Sequence, residues 1–111
     1  MTFRDDNVAF ADMRDHAEKL MTLVNERDTN DWVTIMAATR LFEILGEAAN
    51  RVTPETRYRY PEIPWRELID MRNRITHGYD TVDTNIIWRT AREEIPPLLE
   101  RLDEILDERS S

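Results

Sequence analysis

Apolar side chains recur along this chain at three- and four-residue intervals, the spacing of amphipathic helices. Residues 4–27 predict a first helix, with Val8, Ala11, Ala17, Leu20 and Val24 as its apolar stripe and Asp15 and His16 interrupting it. Asp28-Thr29-Asn30-Asp31 reads as a turn in which Asn30 or Asp31 caps the next helix. That second helix, about residues 32–52, carries the clearest stripe: Val33, Ala37, Leu41, Ile44, Ala48 and Val52, broadened by Met36 and Leu45. Gly46 lies inside it, where glycine costs roughly 1 kcal/mol relative to alanine. Close packing against another helix is the reason its presence suggests.

Pro54, Pro61 and Pro64 make residues 53–64 a partly ordered loop with room for one short turn. Ile63-Pro64-Trp65 then opens a third helix, since proline suits a first turn. Trp65, Leu68, Ile69 and Ile75 face inward, and the helix ends by Gly78. Asp83 caps a fourth helix through Ile86, Ile87, Ala91 and Ile95, which Pro96-Pro97 breaks or kinks. Leu98, Leu99, Leu102, Ile105 and Leu106 continue as a final amphipathic helix. The expected fold is all-α: one domain over residues 1–111, an antiparallel up-and-down bundle of four to five helices.

Composition narrows this further. Only two glycines are present, which disfavours an all-β chain with many tight turns, and the absence of cysteine excludes disulfides, thiolate metal sites and thiol nucleophiles. The N-terminus lacks an apolar signal region and no run reaches membrane-spanning length, so a soluble, cytoplasmic protein without a membrane partner is expected. A net charge of −8 argues against indiscriminate nucleic-acid binding. Its distribution softens that argument: residues 51–79 carry six arginines against four acids, between two acidic flanks.

With only two histidines, a His-rich metal site is excluded, and neither a metal nor a cofactor is expected. His16 sits on a charged helix and reads as a surface residue. Glu93-Glu94 is too ordinary in so acidic a chain to mark a catalytic dyad. His77 stands out because it falls at a helix end beside Gly78, which leaves the ring accessible, and imidazole titrates near neutrality. Asn73, four residues earlier, shares its face, and Asp70 extends that face. Arg72 lies about 140° away on an ideal helix. Arg72 and His77 meet only if the arginine reaches around, if the helix end unwinds, or if a second subunit supplies one group. On residue types alone, a polar helix end holding a turn is the favoured account of the segment.

The stretch from Ile63 to Tyr79 resembles the signature region of HepT-like HEPN proteins. Arg72, the spacer Asn73 to Thr76, and His77 match the HEPN pattern, and Arg72, His77 and Tyr79 match the narrower Arg-x-x-x-x-His-x-Tyr pattern of the HepT group. Arg40 to Ala49 resembles that group's second helix, and Val82-Asp83 with Ile87-Trp88 also fit, so the likeness spans roughly residues 30–100. The resemblance implies a metal-independent endoribonuclease toxin with two chains' motifs lining one cleft of a homodimer or higher-order assembly. It implies RNA as substrate, His77 as general acid or base, Arg72 as the phosphate-holding group, and Asn73 as a residue orienting His77 or the phosphate. Arg66 and Arg74 are weaker candidates for RNA-backbone contacts. It also implies a cognate MntA-type nucleotidyltransferase antitoxin that attaches AMP to Tyr79, although Tyr58 and Tyr60 are chemically eligible. The competing expectation is a non-catalytic HEPN module that binds a nucleotidyltransferase or RNA.

Overall fold

In the computed structural model, which describes residues 3–78 and 82–110, the chain forms α1 (Phe3–Glu26), α2 (Trp32–Arg51), α3 (Pro54–Arg59), α4 (Trp65–Gly78), α5 (Thr84–Glu93) and α6 (Ile95–Ser110). Among the described residues there is no strand, and the fold is the all-α bundle expected. The five long helices lie within a few residues of the ranges read from periodicity. The short turn foreseen in residues 53–64 is α3, with Thr53 extended before it and Pro54 in its first turn. Asp83 caps α5 by accepting a hydrogen bond from the Asn85 amide at 2.8 Å. α5 stops at Glu94, before Pro96 and Pro97, and these open α6, where a missing N–H costs no intrahelical bond. No helix among the described residues is long and apolar enough to cross a membrane.

Side-chain pairs define the directions of the helices. Arg51, at the end of α2, pairs with Asp12 in the first half of α1. Arg14 pairs with Asp103 at 2.5 Å, and Arg109 donates to Asn7, so α6 runs back along α1. α4 runs back along α2, because Gly46 meets Leu68 and Arg72 while Glu43 meets Thr76. The core draws Phe10, Met13, Ala17 and Leu20 from α1, Ala38, Phe42, Leu45 and Ala49 from α2, and Ile87, Ile95, Leu102 and Ile105 from α5 and α6.

Two stripes differ from those read off the sequence. In α1, Ala17 and Leu20 are buried as expected, but Val8 and Ala11 are exposed and Phe10 and Met13 occupy the core. In α2 the buried face is turned by about one residue, some 100° on an ideal helix. Leu45, Ala48 and Val52 are buried as expected, but Ala38, Phe42 and Ala49 join them in the core, whereas Val33 and Met36 stand out in solvent. α2 packs against both α1 and α4, so more than one of its faces is apolar and periodicity alone does not choose between them.

One charged group is buried in this frame. Asp6 is 1% exposed, and its carboxylate accepts from the Thr53 amide at 2.9 Å, the Thr53 hydroxyl at 2.8 Å and the Thr56 hydroxyl at 2.6 Å. Burial pushes its pKa up, but the Thr56 and Thr53 hydrogen bonds and the charge of Arg109 outweigh this and hold it below the usual carboxylate value. The knot ties the start of α1 to the α2–α3 corner. Nearby, Phe10 meets the Tyr60 ring edge-on at 5.7 Å, and the Trp65 indole donates to the Tyr60 carbonyl at 2.9 Å. Those contacts fix the point from which α4 sets out.

Candidate active site

α4 carries the chemistry on two flanks. Leu68 and Ile75 are buried, and Trp65, Ile69 and Met71 pack partly against the core. Arg66, Asn73, Arg74 and His77 are exposed. Helical spacing sets those four within about 100° of arc, so they form one outward stripe. The helix continues through Gly78, so its end does not unwind to bring Arg72 and His77 together.

Arg72 lies on the flank facing α2, where Gly46 leaves room for it. A Cβ at position 46 would fall 2.3 Å from the Arg72 Cβ and 2.6 Å from the Leu68 carbonyl oxygen, so only glycine permits this approach. From that seat the Arg72 side chain turns outward, and its Nη1 donates to Asn73 Oδ1 at 3.0 Å. The arginine therefore reaches around toward the exposed stripe, and Asn73 links it to the face that holds His77. Arg72 Nε lies 3.8 Å from Glu47 Oε1, an ion pair too long to be a hydrogen bond, and this buried nitrogen has no hydrogen-bond partner.

Glu43, one turn before Glu47, faces the next turn of α4. It accepts from Arg40 at 2.7 Å and from the Thr76 hydroxyl at 2.8 Å. Arg40 first and Thr76 second hold its carboxyl below the usual glutamate range, against the opposing effect of burial. Sequence reading passed over Glu43 and Glu47. The signal that points to them is their position: they bracket Gly46 on α2, and antiparallel pairing at that glycine sets 47 and 43 opposite 72 and 76.

The basic centre read from composition is not a continuous patch. Arg51 is paired with Asp12, and Arg57 donates to the Val52 carbonyl at 2.9 Å. Beside the outward stripe, a groove of about 540 Å³ separates α4 from α5 and α6. Met71, Ile86 and Leu98 line it, while Glu67, Asp70, Asp83 and Glu94 outnumber Arg74 among its charged groups. An RNA backbone gains little from such a rim. Tyr79 lies outside the described residues. Of the other tyrosines, Tyr58 is 88% exposed and Tyr60 is held against Phe10 with Arg101 over its ring.

The all-helical bundle is consistent with the architecture of the HEPN class. Comparison with known proteins is more specific. The family model described as "Ribonuclease HepT-like" matches residues 13–105. A Thermococcus cleftensis protein named "Probable ribonuclease HepT" is 37% identical over 75 residues, 68% of each chain. A protein of Caldanaerobacter subterraneus, named as a candidate RNase, is 36% identical over 89 residues, 80% of each chain. Another candidate RNase, from Methanocaldococcus jannaschii, is 28% identical over 110 residues, 96% of this chain and 95% of its own. No solved structure matches the chain. The chain belongs to the HepT-like ribonuclease family, which sets its class as an endoribonuclease.

Proposed function

We propose that the chain is the metal-independent endoribonuclease toxin of a toxin–antitoxin pair, with Arg72, Asn73 and His77 as its working residues. The observation that carries this reading is the Arg72–Asn73 hydrogen bond, which turns the guanidinium toward the exposed stripe that ends in His77. An RNA 2′-OH attacks the adjacent phosphorus while a His77 imidazole takes its proton, and the 5′-oxygen leaves with a proton from an acid. The products are a 2′,3′-cyclic phosphate and a 5′-OH, and DNA, lacking the nucleophile, is not cut. Arg72 holds the phosphate and offsets the charge that builds in the transition state. Arg66 and Arg74, on the same stripe as His77, steady the flanking backbone. A homodimer brings two such stripes to one cleft, so the base and the acid come from different chains.

A partner nucleotidyltransferase of the MntA type silences the toxin by attaching AMP to Tyr79. The family pattern supports that residue, two positions after His77. Each AMP brings an anionic phosphate and a bulky base, which compete with RNA by charge and volume. In this reading RNA is the substrate and no cofactor enters the chain's own chemistry.

Incubating cellular RNA in EDTA with wild type and with His77→Ala tests the nuclease. Wild type is expected to leave cyclic-phosphate ends and the variant to lose about 100-fold or more in rate; equal cutting removes His77 from the mechanism. Intact mass after treatment with the transferase, ATP and a divalent ion tests Tyr79. Tyr79→Phe is expected to gain no AMP, and undiminished modification moves the acceptor, with exposed Tyr58 next in line.

The acidic groove rim and the paired arginines favour a second reading, a non-catalytic module that binds a nucleotidyltransferase or RNA. Partner binding by a wild type that shows no His77-dependent toxicity in cells supports it.

A further inference from the structure

We propose that Glu47 is the positioning residue for Arg72, acting through the seat that Gly46 provides. The inference rests on the reading of Arg72 as the phosphate-holding group. The guanidinium is held from two sides. Asn73 Oδ1 takes Nη1, and Glu47 lies 3.8 Å from Nε, while among the described residues Nη2 makes no hydrogen bond. Both N–H groups of Nη2 and the second of Nη1 are thus left for phosphate oxygens, while Nε and the first Nη1 hydrogen face protein groups.

A donor buried without a partner costs free energy, and a carboxylate just beyond bonding distance is the group able to supply one. Arg72 is 29% exposed and Glu47 38%, so their attraction is screened less than that of a fully solvated pair. Gly46 makes the seat, because its missing Cβ is what allows the Arg72 Cβ to lie against α2. Glu43 also feels the charge of Arg72, but its hydrogen bonds go to Arg40 and Thr76, which leaves Glu47 as the carboxylate nearest Nε.

A carboxylate beside the phosphate holder has opposing effects on binding and on rate. It weakens ground-state attraction for the phosphate while fixing the direction of the guanidinium at the reacting centre. Glu47→Gln keeps the shape and removes the charge. Its kcat should fall roughly tenfold through lost orientation. KM, and Kd for an RNA analogue with a 2′-deoxy sugar at the cleavage position, should stay level or fall. Glu47→Asp, which restores charge on a shorter arm, should recover part of the rate. A purely structural Glu47 would instead lower Tm and leave kcat per folded molecule unchanged. A kcat within twofold of wild type in Glu47→Gln overturns the proposal.

A second measurement does not depend on cleavage. In ¹⁵N-resolved spectra the Arg72 Nε–H signal, assigned by its absence in Arg72→Lys, should be sharp in wild type and shifted or broadened in Glu47→Gln. An unchanged signal overturns the hold of Glu47 on Arg72 even if the enzyme cuts RNA. Absence of cutting by wild type removes the nuclease reading, while this signal still decides the hold.

Discussion

Asp6 and Arg72 are both charged side chains seated between helices, and their hydrogen bonding differs sharply. The Asp6 carboxylate collects three hydrogen bonds from Thr53 and Thr56 and is 1% exposed. Arg72 keeps one hydrogen bond, to its neighbour Asn73, and its buried Nε has none. A fully paired buried charge has nothing left to offer a ligand, so it fastens the fold. A partly paired one at a surface flank keeps bonding capacity in reserve, which a phosphate can use. Under the proposed function, the contrast separates a structural charge from a working one.

Substitutions can break this contrast, and the largest effect is expected at the saturated site. Asp6→Ala strands the Thr53 amide and the Thr56 hydroxyl, and should cost about 3 kcal/mol. Thermal melts should show Tm lower by roughly 10 °C, with RNA cleavage per folded molecule unchanged. A comparable loss of rate would place Asp6 in the working machinery.

Gly46→Ala should affect both properties. The new Cβ meets a side-chain root and a backbone oxygen, neither of which can swing away, so α4 must shift. Better helix propensity offsets part of the strain, leaving a net loss of about 1–2 kcal/mol. Cleavage by the folded variant should drop roughly tenfold as Arg72 is displaced. A stable variant with wild-type activity would show that the close approach is incidental.

The acid branch of stability sharpens the comparison further. Because Asp6 is held below its ordinary pKa in the folded protein, its contribution is present above the unfolded value, near 3.8, and is lost as pH falls through the folded value. Denaturant midpoints taken downward from pH 5 should therefore fall less steeply for Asp6→Asn than for wild type. Glu43 and Glu62, also held low, preserve some of the slope. Parallel curves would detach Asp6 from the acid response. The smallest effect belongs to Thr76→Val, which removes an exposed hydrogen bond to Glu43 and should cost less than about 1 kcal/mol.

Much of this architecture was legible in the chain. Helix ranges followed from periodicity, Asp83 from capping chemistry, and the close-packing role of Gly46 from its place inside a strong helix. The outward stripe through Asn73 and His77 followed from helical spacing. Other features depend on which helix packs against which. Val33 and Met36 looked like core because α2 is apolar around much of its circumference, and only its neighbours select the buried side. Asp6 gave no local sign of its threonine partners, 47 and 50 residues away. Arg72 looked isolated because the 140° arc measures where its Cα points, and its long side chain turns part of the way back, as far as Asn73.

α4 rests principally on α2, whereas α1 packs against α2, α5 and α6. Opening α4 therefore breaks one main interface, while opening α1 breaks three. Native-state amide exchange should accordingly release the inner amides of α4 before those of α1, and as one group. Arg72 and Asn73 thus lie on a unit expected to part from Gly46 and Glu47 on α2 while the rest of the core stays folded, so the sensitivity of the site to solvent conditions need not follow that of the whole protein.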